Sequence, residues 1–143
     1  MLAALAATLV YAAMGLALLG LGVVVLDAIT PGRLGRLVMG DDGTPPSMNA
    51  GVLAAASLVA TALVVFTALW TNVQDGLGAA VLWTLVFGVL GIALQALAVK
   101  LVDWLTPGDL AAVVLTAERL HPATVVAAAT QLAVAAVVVA SIA

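Results

Sequence analysis

The stretches VVVLDAITPGRLGRLV (residues 23–38) and VKLVDWLTPGDLAAVV (residues 99–114) each place an aspartate and a Thr-Pro-Gly turn after a long apolar run. Threonine is a good N-cap, and proline suits the first helical position because its missing N–H has no intrahelical partner there. The pattern therefore predicts that each aspartate lies in the last turn of a long helix. A second, short helix is expected to begin at Thr30-Pro31 and again at Thr106-Pro107.

The composition is that of a membrane protein. Hydrophobic residues make up 66% of the chain and charged residues 8%, whereas about a quarter of the residues of a soluble domain are charged. So few charges cannot cover the surface of a water-soluble globule. Four Lys and Arg residues in a chain of net charge −3 argue against nucleic-acid binding. Without cysteine, neither a disulfide framework nor a thiolate metal site is expected.

Four segments are long and apolar enough to cross a bilayer, which takes about 20 residues in a helix. They are residues 2–29, 49–70, 77–105 and 123–143. The first has no basic residue before it and is longer than the apolar core of a signal peptide, so we expect it to be retained. The fold class predicted is an all-α integral membrane protein with four transmembrane helices.

The basic residues predict the orientation in the membrane. All four lie in or beside two of the connections, 30–48 and 106–122, and they are Arg33, Arg36, Lys100 and Arg119. Cytoplasmic loops carry such an excess. We therefore expect these two connections to face the cytoplasm and both termini to lie outside.

The chain also reads as a duplication, with a first two-span repeat over 1–72 and a second over 73–143. AAASLVA (54–60) and AAATQLA (127–133) align like the two aspartate stretches. Two spans in each copy give both copies the same orientation, as in parallel repeats. After each turn a short amphipathic cytoplasmic helix is expected at the membrane surface. In the first copy, Arg33 and Arg36 would contact anionic headgroups.

Asp27 and Asp103 allow two interpretations. In the first, each carboxylate fixes its turn by accepting hydrogen bonds from the threonine and from free N–H groups at the next helix start, which are costly to leave unpaired near lipid. In the second, the two acids form a symmetric cation or proton site, since an acid within a membrane span is a functional candidate. Their position at the membrane boundary favours the turn interpretation.

Other polar and small residues suggest packing more than chemistry. Ala6, Ala13 and Gly20 lie at heptad spacing before Asp27 and form a stripe that permits close helix contact. Gly88 and Gly91 are expected to serve the same purpose in the third span.

Interior amides are the most polar residues within the spans. Gln95 and Gln131 are expected to make interhelical hydrogen bonds in preference to lining a permeation path, and His121 is expected to be a solvated side chain. No catalytic triad, metal-ligand cluster or nucleotide fingerprint is present in the sequence. Neither enzymatic activity nor a cofactor is therefore expected.

Taken together, these residues resemble the YjfL-like family of small bacterial inner-membrane proteins, a domain of unknown function. The resemblance covers nearly the whole chain and rests on Asp27, Thr30, Pro31 and Asn49 in the first copy and on Asp103, Thr106 and Pro107 in the second. Where the family's asparagine would recur, the second copy has His121-Pro122. Asn49 is expected to cap the second span and Pro122 to open the fourth, so helix initiation explains both. The resemblance implies a plasma-membrane protein of unestablished activity, linked to envelope stress or membrane maintenance.

Three functions follow as hypotheses. The first is a structural or scaffolding protein that forms a homo-oligomer in the lipid bilayer and offers its cytoplasmic segments to lipid or to a peripheral protein partner. The alternative is a small cation, proton or polyamine channel or transporter that uses Asp27 and Asp103. An enzyme subunit that needs a soluble partner is a third hypothesis.

Overall fold

The computed structural model describes residues 1–30, 34–41, 43, 45–105, 112–113 and 119–143. Five α-helices within these ranges are α1 (Leu2–Ile29), α2 (Leu34–Met39), α3 (Met48–Asn72), α4 (Leu77–Leu105) and α5 (Pro122–Ile142). A single turn of 3₁₀-helix, Val73–Asp75, joins α3 to α4.

Four of these helices, α1, α3, α4 and α5, are long and apolar enough to cross a membrane. The fold class predicted from the sequence is confirmed, and the predicted spans agree with the helices to within two residues. A backbone in lipid must satisfy its own polar groups, and a helix does this within one segment. Apolar segments of this length are therefore expected to form α-helices.

The starts of α3 and α5 are fixed by side-chain caps. Ser47 is the N-cap of α3, and its Oγ accepts a hydrogen bond from Ala50 N at 3.3 Å. His121 is the N-cap of α5, and its Nδ1 accepts from Ala123 N at 3.2 Å, with Pro122 opening the helix. The expectation that Asn49 caps α3 is wrong, because Asn49 lies inside the first turn and Ser47 already occupies the capping position.

The turn between α3 and α4 is short enough to make these helices antiparallel neighbours. Gly76 closes it with a φ of 93°, a conformation that residues with a Cβ rarely adopt. The helix α4 begins at the next residue.

At the centre of the bundle lies α3, which packs against α1, α2, α4 and α5. Glycines allow the close approaches. A Cβ built on Gly88 of α4 would lie 2.7 Å from Leu18 Cδ1 of α1, and one on Gly91 would lie 3.0 Å from Val64 Cγ1 of α3. Gly22 of α1 faces Thr61 of α3 in the same way, at 3.1 Å from its Oγ1. These glycines therefore pack helices of one chain together.

The short helix α2 covers the end of the bundle where α1 ends and α3 begins. Its Leu34 and Leu37 are buried in one apolar cluster with Leu26, Leu53 and other residues of α3 and α5. The backbone of Ser47 donates to Leu37 O at 2.6 Å and so fixes α2 against the start of α3. The apolar face of this helix therefore contacts protein. The second predicted amphipathic segment lies almost entirely outside the described residues.

Candidate functional site

The corner after α1 brings a carboxylate to a backbone N–H. Asp27 lies half-buried in the last turn of α1, and its Oδ1 accepts a hydrogen bond from Gly35 N in the first turn of α2 at 3.3 Å. Thr30 ends α1 in an extended conformation, with its own N–H on Leu26 O. A carboxylate on a free N–H of the next helix is the geometry that the turn interpretation requires. Pro31 and Arg33 lie outside the described residues.

Asp103 occupies the corresponding position in α4. It is half-buried in the last turn of that helix, while Thr106 and Pro107 lie outside the described residues. Leu26 and Val102, which precede the two aspartates, pack in one apolar cluster. Both acids therefore lie at the same end of the bundle. Within the described part of the chain, no group of three or more His, Cys, Asp or Glu side chains could hold a metal ion.

Asn49 joins the two halves of the chain. It is fully buried in the first turn of α3, where its Nδ2 donates to Arg119 O at 3.0 Å and its Oδ1 accepts from His121 N at 2.9 Å. Both groups of the amide are thus used on the backbone that leads into α5. Sequence reasoning missed this contact. The available signal was that no asparagine stands at the start of the fourth span, since a residue that bonds from one span to the segment before another is needed only once.

A cluster of four buried polar side chains lies in the middle of the bundle, and we call it the central polar cluster. Its members are Ser57 and Thr61 of α3, Gln95 of α4 and Gln131 of α5. Thr61 Oγ1 donates to Gln95 Oε1 at 3.5 Å, which links α3 to α4. The amide of Gln131 has no hydrogen-bond partner among the described residues, nor has Gln95 Nε2. The interhelical bond expected of Gln131 is therefore not formed within this part of the chain.

A small cavity adjoins the central polar cluster. Its volume is about 10 Å³, and residues of all four long helices line it, including Gly22, Ile92 and the four members of the cluster. Towards the end of the bundle near the α3–α4 turn, the buried residues of α3 and α5 become apolar: Val64, Val65, Ala68, Ala135 and Val138. The described polar residues of α3 and α5 thus form no continuous path across the bundle.

The small-residue stripe of α1 points away from the bundle. Ala6, Ala13 and Gly20 are exposed, and a Cβ built on Gly20 would meet no atom within 4 Å. The buried residues of α1 lie on the opposite face and are Met14, Leu18, Gly22 and Leu26. The stripe is therefore available for contact outside the chain.

Arg36 marks the solvent-facing side of α2. Its side chain is 57% exposed and lies 3.8 Å from the Asp41 carboxylate, which is 55% exposed. A pair this exposed contributes little to stability, so the guanidinium remains accessible to other anions.

Comparison with known proteins identifies a family without an assigned activity. A family model described as Domain of Unknown Function (DUF350) matches residues 1–142. A UPF0719 transmembrane protein of Mycolicibacterium paratuberculosis is 35% identical over 136 residues, which cover 95% of this chain and 86% of the relative. No solved structure matches the chain.

Proposed function

The chain belongs to the DUF350 family, and on that premise we propose that it is a structural membrane protein that acts as a homo-oligomer. The observation that carries this proposal is the outward stripe of Ala6, Ala13 and Gly20, which is opposite the buried face of α1. Small residues let helix backbones approach closely in lipid, where van der Waals packing drives association. A second copy of the chain, presenting the same face, is the partner that this surface suits.

The interior of the bundle supports a structural role over transport by a single chain. The cavity among the helices is about 10 Å³, which is near the size of one water molecule. Between the central polar cluster and the α3–α4 turn, the buried residues of α3 and α5 are apolar. A solute path through one chain would need a larger polar volume.

The surface near α2 suits contact with lipid or a peripheral protein. In this proposal the connections 30–48 and 106–122 face the cytoplasm of a bacterium, whose inner membrane holds the protein with both termini outside. Arg33 and Arg36 then lie at the level of anionic headgroups, where each contributes about 1 kcal/mol. A role in envelope stress or membrane maintenance fits such a scaffold. The proposal assigns no reaction to the chain itself.

Oligomer formation is tested by substitution in the outward stripe. Gly20→Leu adds a side chain at a position where a Cβ has no neighbour within 4 Å among the described residues, but it obstructs a close helix contact, so we expect it to shift the oligomer towards monomer. Ala62→Leu is the matched control, since Ala62 is an exposed small residue on α3. The readout is subunit counting by single-molecule photobleaching in lipid nanodiscs. A native chain that stays monomeric as the protein-to-lipid ratio rises would contradict the proposal.

Transport of a cation, a proton or a polyamine is the second candidate. It is favoured by the location of Asp27 and Asp103 at one end of the bundle, in the last turns of α1 and α4. The path would lie between subunits. The test is flux into liposomes, first by the native chain and then by the Asp27→Asn/Asp103→Asn variant. Flux that the double substitution abolishes supports transport, and no flux by the native chain counts against it.

A further inference from the structure

Two buried glutamines lie near the middle of the membrane. Gln95 is 4% exposed and Gln131 is fully buried. Gln95 precedes the end of α4 by ten residues and Gln131 follows the start of α5 by nine. At 1.5 Å per residue, both lie about 15 Å from the same end of the bundle. This depth is half of a hydrocarbon core of roughly 30 Å.

The hydrogen-bonding groups of these amides are incompletely used. Gln95 Nε2 has no partner among the described residues, and neither Nε2 nor Oε1 of Gln131 has one. Unlike a threonine or serine hydroxyl, a glutamine amide does not readily bond the carbonyl one turn back along its own helix. Buried polar groups are nearly always satisfied, by protein or by ordered water. These three groups therefore need a ligand that both donates and accepts.

The volume of the cavity beside Gln95 and Gln131 limits the size of the ligand. This volume is about 10 Å³, and a cavity of about 10–15 Å³ accommodates a single water molecule. Gln95 and Gln131 both line it, together with Ser57 and Thr61. A dehydrated alkali cation would need a shell of oxygen ligands, whereas two amide NH₂ groups here present positive hydrogens. An apolar ligand would leave all three groups unpaired.

We propose that the central polar cluster binds one buried water molecule between α4 and α5. The water accepts from Gln95 Nε2 and Gln131 Nε2, donates to Gln131 Oε1, and has the Ser57 hydroxyl as its fourth partner. It thereby joins α4 and α5 at a depth where each would otherwise leave a polar group unpaired, and Ser57 connects it to α3. This site is independent of oligomer formation and of any transport.

Nuclear magnetic resonance of selectively labelled glutamine side chains tests this site. The chain has three glutamines, Gln74, Gln95 and Gln131, so ¹⁵N labelling of the side-chain amides gives three resolvable signals. The native protein is measured in a detergent without hydroxyl groups. We expect nuclear Overhauser cross-peaks to water at Gln95 and Gln131, with the sign of a long-lived bound water. Gln74 is exposed and reports contact with bulk water.

Substitutions distinguish a bound water molecule from other sources of the nuclear Overhauser cross-peaks. Gln131→Met keeps the length of the side chain but removes two of the four hydrogen bonds, so the Gln95 cross-peak should be lost. Thr84→Val is the matched control, because Thr84 is fully buried with an unpartnered Oγ1 but lies outside the cavity. It should leave both cross-peaks intact.

Hydroxyl protons near the amides exchange with water and can produce the same cross-peaks without a bound water molecule. A variant without these hydroxyl groups tests for this effect. In Ser57→Ala/Thr61→Val both cavity hydroxyls are removed, and the Gln131 cross-peak should persist. Its loss there, in a variant whose Gln74 signal keeps its native position, would overturn the proposal. Absence of water cross-peaks at both Gln95 and Gln131 in the native protein would overturn it as well.

Discussion

Asn49 and His121 lie 72 positions apart in the chain, yet Asn49 Oδ1 accepts a hydrogen bond from the His121 backbone N at 2.9 Å. The same amide donates to Arg119 O at 3.0 Å. One side chain at the start of α3 therefore holds the segment that leads into α5. Replacement by Leu removes both bonds and leaves two backbone groups unpaired, at a cost of about 2–4 kcal/mol.

The measurement for Asn49→Leu is denaturant unfolding in detergent micelles. Asn72→Leu is the control, because Asn72 is at the other end of α3 and its Nδ2 bonds only locally, to Ala68 O and Thr71 Oγ1. The control should lose less than about 1 kcal/mol. If both variants lost the same free energy of unfolding, the contact between Asn49 and the segment before α5 would not contribute to stability.

Ser47→Ala tests which residue begins α3. Because Ser47 Oγ accepts from Ala50 N, its loss should reduce stability by about 1 kcal/mol. Ser47→Asp retains an acceptor and should preserve stability. The readout is thermal unfolding followed by circular dichroism, with Ser141→Ala near the end of α5 as the control. A Ser47→Ala protein as stable as the native chain would disprove the capping role.

Gly91→Ala should weaken the contact between α3 and α4. Its Cβ would lie 3.0–3.5 Å from three atoms of Val64, so rotation of the valine cannot relieve the crowding. Overpacking of this kind costs about 1–3 kcal/mol. Gly78→Ala is the control in the same helix, since its Cβ meets nothing within 4 Å. In Gly91→Ala/Val64→Ala the two crowding γ-carbons are gone, and unfolding experiments should show partial recovery relative to Gly91→Ala.

Asp27 offers a test of the corner after α1. Asp27→Asn keeps an oxygen for Gly35 N and should leave stability nearly unchanged, whereas Asp27→Leu removes the acceptor and should cost on the order of 0.5–1.5 kcal/mol. Thermal unfolding of both variants checks this, with Asp41→Asn on the exposed connection as the charge control. If Asp27→Asn were as unstable as Asp27→Leu, the negative charge and not the hydrogen bond would matter.

Hydropathy alone predicted the four long helices and their bounds, because a chain in lipid has few ways to satisfy its backbone. The Thr30-Pro31 pattern placed the end of the first helix just after Asp27 and a short helix after it. The division into two repeats and the cytoplasmic placement of the connections stay predictions.

The sequence predicted close packing at Gly88 and Gly91 and an interhelical hydrogen bond at Gln95, but it did not identify the partners of these residues. The partners of Asn49 are backbone atoms, which no residue type encodes. Gly78 and Gly91 both lie in the same apolar run. Only the packing of the helices leaves free space around a Cβ at Gly78 and places Val64 against one at Gly91. In an Ala-rich chain, the sequence pattern does not determine which face of α1 is buried. In the structure, the stripe of Ala6, Ala13 and Gly20 faces outward.

The buried polar side chains also have an order along the chain that bears on how it enters the membrane. Among the described residues, α1 buries none, α3 buries Ser57 and Thr61 beyond Asn49 at its start, and the two glutamines come on α4 and α5. A ribosome delivers these helices in that sequence. The first buries no polar side chain, and hydroxyls on the next can bond their own helix. The amides lack that option: Gln95 follows its Thr61 partner on α3 into the membrane, and Gln131 enters last, when the other three long helices are already present.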